Sequence, residues 1–141
     1  GLALGVTTLA GLVGGVIAAV LGTRGGRPLL LAVGLGANVV ATWMVVNAGS
    51  SVLYLAGLLA WAIAFVFALP YLLGTAAALD PLGRGTAAAA GITAVGVAIG
   101  PGVAGLMVTE SGYPAPGGFV IACGLGAGVL ILPVARAVDR L

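Results

Sequence analysis

The chain has 141 residues, of which 62% are hydrophobic, 6% are charged and 26 are glycine; it has no Lys or His, a net charge of +2 and a mean hydropathy of +1.30. So few charges cannot cover a water-facing surface, where about 25% is usual, so a soluble globular domain is excluded and lipid is the expected solvent. One Cys excludes a disulfide framework, the absence of His argues against a metal centre, and five scattered Arg are too few for nucleic-acid binding.

A hydrocarbon core of about 30 Å takes roughly 20 apolar residues as a helix, because every backbone group must bond internally. Five charge-free runs meet that need: 1–21, 29–47, 52–79, 86–108 and 118–135. The intervening segments 22–28, 48–51, 80–85 and 109–117 hold the Arg, Asp, Glu, Pro and Gly that interrupt helices. The runs lack the alternation of barrel strands, so the expected fold is all-α, a polytopic bundle of five transmembrane helices. The chain opens on Gly1 without an initiator Met or a basic leader, and so reads as a piece of a longer protein.

In the first run Thr7 and Thr8 are polar groups at depth, and Gly11 and Gly15 form a close-packing pair of the kind that joins helices in lipid. The loop after it carries Arg24 and Arg27. The second run holds Asn38, expected to clamp two helices by a hydrogen bond rather than to contact a substrate, and ends near Trp43. In the third, Tyr54, Leu58, Trp61 and Phe65 share one helix face by their spacing of four, three and four residues. Trp61 lies deep and needs a partner for its N–H, so it either packs in the interior or lines a cavity. Trp43 and Tyr71, near span ends, read as aromatic-belt residues. Pro70 is expected to kink this long helix.

Arg84 precedes the fourth run, in which Gly96, Gly100 and Ala104, with Ala98 and Gly102, form small-residue faces that predict tight packing. Pro101 is expected to bend it. The match of residues 100–105 to G-x-G-x-x-G sits mid-span with no preceding strand, so it is no nucleotide fingerprint. Thr93 could line a cavity, although a Thr hydroxyl commonly bonds its own helix backbone. The fifth run pairs Gly124 with Gly128, and Cys123 there acts as a small apolar residue. The absence of paired carboxylates, of nucleophile–base pairs and of charges within the runs argues against an enzyme and against a cofactor or metal. The Arg of the first and third loops and of the tail (Arg136, Arg140) share one side of a five-crossing chain, which predicts a cytoplasmic C-terminus in the cell (inner) membrane.

Two stretches carry a family likeness. Arg84-Gly85-Thr86-Ala87, followed by Gly96-Val97-Ala98-Ile99-Gly100-Pro101-Gly102-Val103-Ala104-Gly105, resembles the helix 10–11 loop and helix 11 of major facilitator superfamily transporters. Thr23-Arg24-Gly25-Gly26-Arg27-Pro28 is similar to the second copy of that family's cytoplasmic motif: Arg24, Gly26 and Arg27 match, whereas Thr23 stands for its Asp and Pro28 for its last basic residue. The resemblance implies helices 8–12 of a 12-helix fold, with helix 7 and the N-terminal half as missing partners. It implies transport of a small-molecule solute by alternating access. It makes Thr7, Thr8, Tyr54, Trp61, Phe65 and Thr93 cavity candidates, Arg24, Gly26, Arg27 and Arg84 the loop motif, and Gly96, Gly100, Pro101, Gly102 and Gly105 the packing and bending positions of helix 11. An uncharged cavity suits a neutral or amphipathic solute, with efflux the first expectation. The alternative is a non-transporting integral-membrane subunit or anchor.

Overall fold

Among the described residues the charge-free runs fold as five α-helices: α1 (Leu2–Leu21), α2 (Arg27–Val46), α3 (Ser51–Leu79), α4 (Arg84–Ser111) and α5 (Pro114–Val138). The computed structural model describes residues 2–80, 82–112 and 114–139, with residues 2–4, 111 and 114 by backbone alone; Gly1 and Arg140 lie outside them. Among the described residues there is no strand, in agreement with an all-α fold. Helices α2 to α5 are long and apolar enough to cross a membrane. The apolar segment Gly5–Leu21 of α1 is shorter, at the lower end of the range of about 17–25 residues that a crossing takes.

The helices outrun the apolar spans, because charged and Pro residues fit at helix ends. Arg27 and Arg84 open α2 and α4, and Arg136 lies in the last turn of α5, where a cation suits the helix dipole. Segment 109–117 does break the helices, but more briefly than its Pro content suggested: residues 109–111 end α4 and 114–117 open α5. Pro114 and Pro116 lie in the first turn of α5, where the N–H that Pro lacks has no intrahelical partner anyway. Pro70, Pro101 and Pro133 are accommodated inside continuous helices.

Helix α3 lies between α1 and α2 and packs extensively on both; α2 in turn packs along α5. Helix α4 is lightly held, touching α3 and α5 alone among the described helices. The best-buried cluster joins Ala18 of α1, Leu30 and Leu31 of α2, Phe67 and Tyr71 of α3, and Ala135 of α5. Away from it, large apolar side chains face outward on every helix: Val16 is 62% exposed, Ile92 74% and Leu130 74%. In water each would forgo about 1.5–3 kcal/mol of burial, a loss that lipid removes.

Close helix contact is made at glycines. A Cβ on Gly14 would overlap the Ile63 carbonyl, and one on Gly11 would stand 3.0 Å from Val66 Cγ2. Gly34 fits against Ala68 and Phe67, Gly57 against Val45 and Met44, Gly117 against Val46, and Gly124 against Val39. The expected pairs Gly11/Gly15 and Gly124/Gly128 therefore do lie at helix contacts. The tight packing expected of α4 is absent: a Cβ at Gly96, Gly100, Gly102 or Gly105 would meet nothing within 4 Å. Those faces are small, but no described helix fills them.

Candidate functional site

At one end of the bundle the chain gathers its cations. The Asp139 carboxylate, at the C-terminal end of α5, accepts a 2.9 Å hydrogen bond from the Arg27 N–H, so α5 ends beside the α1–α2 loop. The Tyr71 hydroxyl donates to the Ala18 carbonyl at 3.2 Å, which brings the second half of α3 to the same end of α1. Arg24, Arg27, Arg84 and Arg136 consequently occupy one end of the bundle. Gly26 caps α2 at φ 78°, a left-handed backbone that other residues adopt at a cost, which accounts for glycine at this motif position. In the α3–α4 loop, Asp80 accepts from the Leu82 N–H at 3.0 Å and from the Gly85 N–H at 2.9 Å. Both carboxylates thus satisfy amides at helix starts. The neighbouring Thr86 hydroxyl is buried without a hydrogen-bond partner.

The residues expected to line a cavity are spread through the bundle. Trp61 and Phe65 stack with ring centroids 5.5 Å apart and planes 7° from parallel, as their shared helix face predicted. Phe65 lines a cavity of about 130 Å³ between α2 and α3, whose wall includes Asn38, Leu31 and Leu72. Tyr54 borders a shallow pocket at the 48–51 loop. Thr93 lines a separate apolar cavity of about 360 Å³ between α3, α4 and α5, opposite Thr75. Thr7 is half-buried and Thr8 exposed on α1.

Three polar expectations change. The Asn38 side chain makes no interhelical hydrogen bond among the described residues; its backbone carbonyl accepts from the Thr42 hydroxyl at 2.9 Å, and the residue lines the cavity with Phe65. Trp61 is 38% exposed, and its indole N–H likewise has no partner among the described residues. Tyr71 does not belong to an aromatic belt: it is 5% exposed and joins α3 to α1. The i, i+4 series Phe67, Tyr71 and Thr75, each of them buried, is the signal that would have shown this face turning inward. The Thr93 hydroxyl does bond its own helix, donating to the Ala89 carbonyl at 2.8 Å, and Thr75 does the same to Tyr71.

No family model, curated protein or solved structure matches the chain.

Proposed function

We propose that the chain crosses the membrane five times, with its arginine end and C-terminus cytoplasmic in the cell membrane, and forms part of a transport protein for a neutral, apolar or amphipathic solute. One observation carries the reading. Phe65, stacked on the part-exposed Trp61, lines a cavity that Asn38 also lines, and neither the indole N–H nor the Asn38 carboxamide has a hydrogen-bond partner among the described residues. Neither group is fully buried in the bundle, so at membrane depth each would face lipid unbonded at a cost that a solute or water bonding it offsets. The uncharged surroundings favour a solute without formal charge. The likeness of the 23–28 loop and of residues 84–105 to major facilitator transporters supports alternating access as the mechanism.

The open glycine faces of α4 support completion of the bundle by further helices, which in that family come from helix 7 and the N-terminal half. They serve equally for a membrane subunit that docks a partner without transporting, which is the second reading. Efflux of amphipathic dyes from cells producing the full-length protein separates the two. Trp61→Ala should lower efflux by about tenfold while leaving membrane insertion unchanged, since each 1.4 kcal/mol of lost solute binding is a factor of ten. Efflux at the unsubstituted rate would remove the stack from the path, and no transport of any compound across the panel would favour the docking subunit.

A further inference from the structure

The outer side of the α2–α5 pair carries a groove of about 380 Å³, distinct from the cavity beside Phe65. Its walls are apolar along their length, with Ala32, Gly36 and Val39 on α2 and Gly124 and Gly128 on α5, and Arg136 is its one charged lining residue. Glycine makes the groove. A Cβ on Gly36 would meet nothing within 4 Å, and one on Gly128 would have only Leu35 Cδ1, at 4.0 Å. From Gly124 to Arg136 the groove follows α5 for about 18 Å at 1.5 Å per residue. That is close to the depth of one leaflet, half of a hydrocarbon core of about 30 Å.

Arg136 sits at the shallow end of this track. It is exposed, and no carboxylate pairs with it among the described residues; Asp139, three residues further on, accepts from the Arg27 amide through Oδ2. Arg24, Arg27 and Arg84 stand at the same end of the bundle with Asp80 and Asp139, so cations outnumber carboxylates there. A groove one leaflet deep, apolar throughout and closed by a guanidinium at headgroup level is complementary in shape and charge to an anionic phospholipid. A zwitterionic lipid would fill it equally well but gain less at Arg136.

We infer that the α2–α5 groove binds one anionic phospholipid, its acyl chain lying over Gly36 and Gly128 and its phosphate held by Arg136. The inference goes beyond transport and rests only on the membrane reading. Its place on the outer face of the bundle, with α3 behind α2, makes it a site at which lipid composition could set the α2–α5 spacing without entering the solute path.

The test uses the full-length protein, purified in detergent, stripped of lipid and titrated with dioleoyl phosphatidylglycerol or dioleoyl phosphatidylcholine, with bound lipid counted by native mass spectrometry. The expected result is one retained phosphatidylglycerol, preferred over phosphatidylcholine by about fivefold, the scale of one arginine near an anionic surface. Arg136→Gln should bring the two lipids to parity, and Arg24→Gln, at the same end but outside the groove, should keep the preference. Gly128→Leu should weaken both lipids by filling the groove, with helix content by circular dichroism confirming that it folds.

Equal retention of both lipids by the unsubstituted protein, or a preference that survives Arg136→Gln, overturns the proposal. So does a groove occupied by a second copy, seen as a dimer that Gly128→Leu dissociates while lipid counts stay fixed. Membrane insertion is scored separately by carbonate extraction: a protein released from the membrane sinks the membrane reading, whereas an inserted protein without lipid preference sinks this inference alone.

Discussion

The α1–α3 contact offers the sharpest test of how the bundle is held. Gly14 of α1 faces the Ile63 backbone of α3 so closely that an added Cβ would overlap the Ile63 carbonyl oxygen and stand 3.0 Å from its carbonyl carbon and 3.1 Å from its Cα. A side chain in the way can rotate aside, but a helix backbone cannot. Gly14→Ala therefore forces α1 and α3 apart, which loosens the Gly11 and Gly15 contacts with Val66 and stretches the Tyr71–Ala18 hydrogen bond. Overpacking of this kind costs about 1–3 kcal/mol, and the upper end is expected where backbone is struck.

The matched control is Gly36→Ala on α2, where the Cβ meets nothing within 4 Å. Relief of glycine's helix penalty should make that variant neutral or more stable by up to about 1 kcal/mol. Thermal unfolding in a mild detergent, followed by circular dichroism, should separate the two variants by about 2–4 kcal/mol, the sum of those effects. A Gly14→Ala protein as stable as Gly36→Ala would refute the claim that α1 and α3 meet backbone to backbone.

Tyr71→Phe removes one hydrogen bond to the Ala18 carbonyl and keeps the ring packed beside Phe67, so it should cost about 0.6 kcal/mol, the mean for hydrogen bonds between membrane helices, and a loss above 2 kcal/mol in the same assay would show that the hydroxyl does more than link α3 to α1. Gly100→Ala adds a Cβ that meets nothing within 4 Å, so it should be neutral or, by relief of glycine's helix penalty, more stable by up to about 1 kcal/mol; a loss of about 1–3 kcal/mol would show that α4 packs more tightly than its contacts indicate.

Which parts of the fold could be read in advance follows from the range of the forces involved. The existence and order of the five helices are local properties, set by runs in which each backbone group bonds within its own turn. Their ends are less local, as Pro114 and Pro116 illustrate: the residue that breaks a helix interior is favoured in its first turn, and sequence does not say which turn a Pro occupies. Small-residue spacing shows which face of a helix can be approached, not whether a neighbour arrives. Gly11/Gly15 and Gly96/Gly100 have the same spacing, yet Val66 meets the first pair and nothing described meets the second. The site divides the same way. The Trp61–Phe65 stack is a one-turn relation legible from spacing, whereas placing Asn38 beside Phe65 depends on the register of α2 against α3, for which no local signal exists.

The arginine end shows how such long-range geometry can supply what a motif lacks. In the 23–28 loop Thr23 stands where the resembling family has an Asp, so the local sequence offers no carboxylate. The folded chain brings one from 112 residues away, and Asp139 Oδ2 accepts from the first amide of α2 at 2.9 Å. A carboxylate at a helix N-terminus gains from both the unpaired amide and the dipole. A loop Asp would travel with the loop, but Asp139 belongs to α5. Any change in the angle between α2 and α5 at this end must therefore break the Arg27–Asp139 bond before the helices separate. A rocking motion that carried α2 and α5 as one body would keep it. One of the chain's scarce carboxylates thus joins two helices distant in sequence at the end where the cations collect.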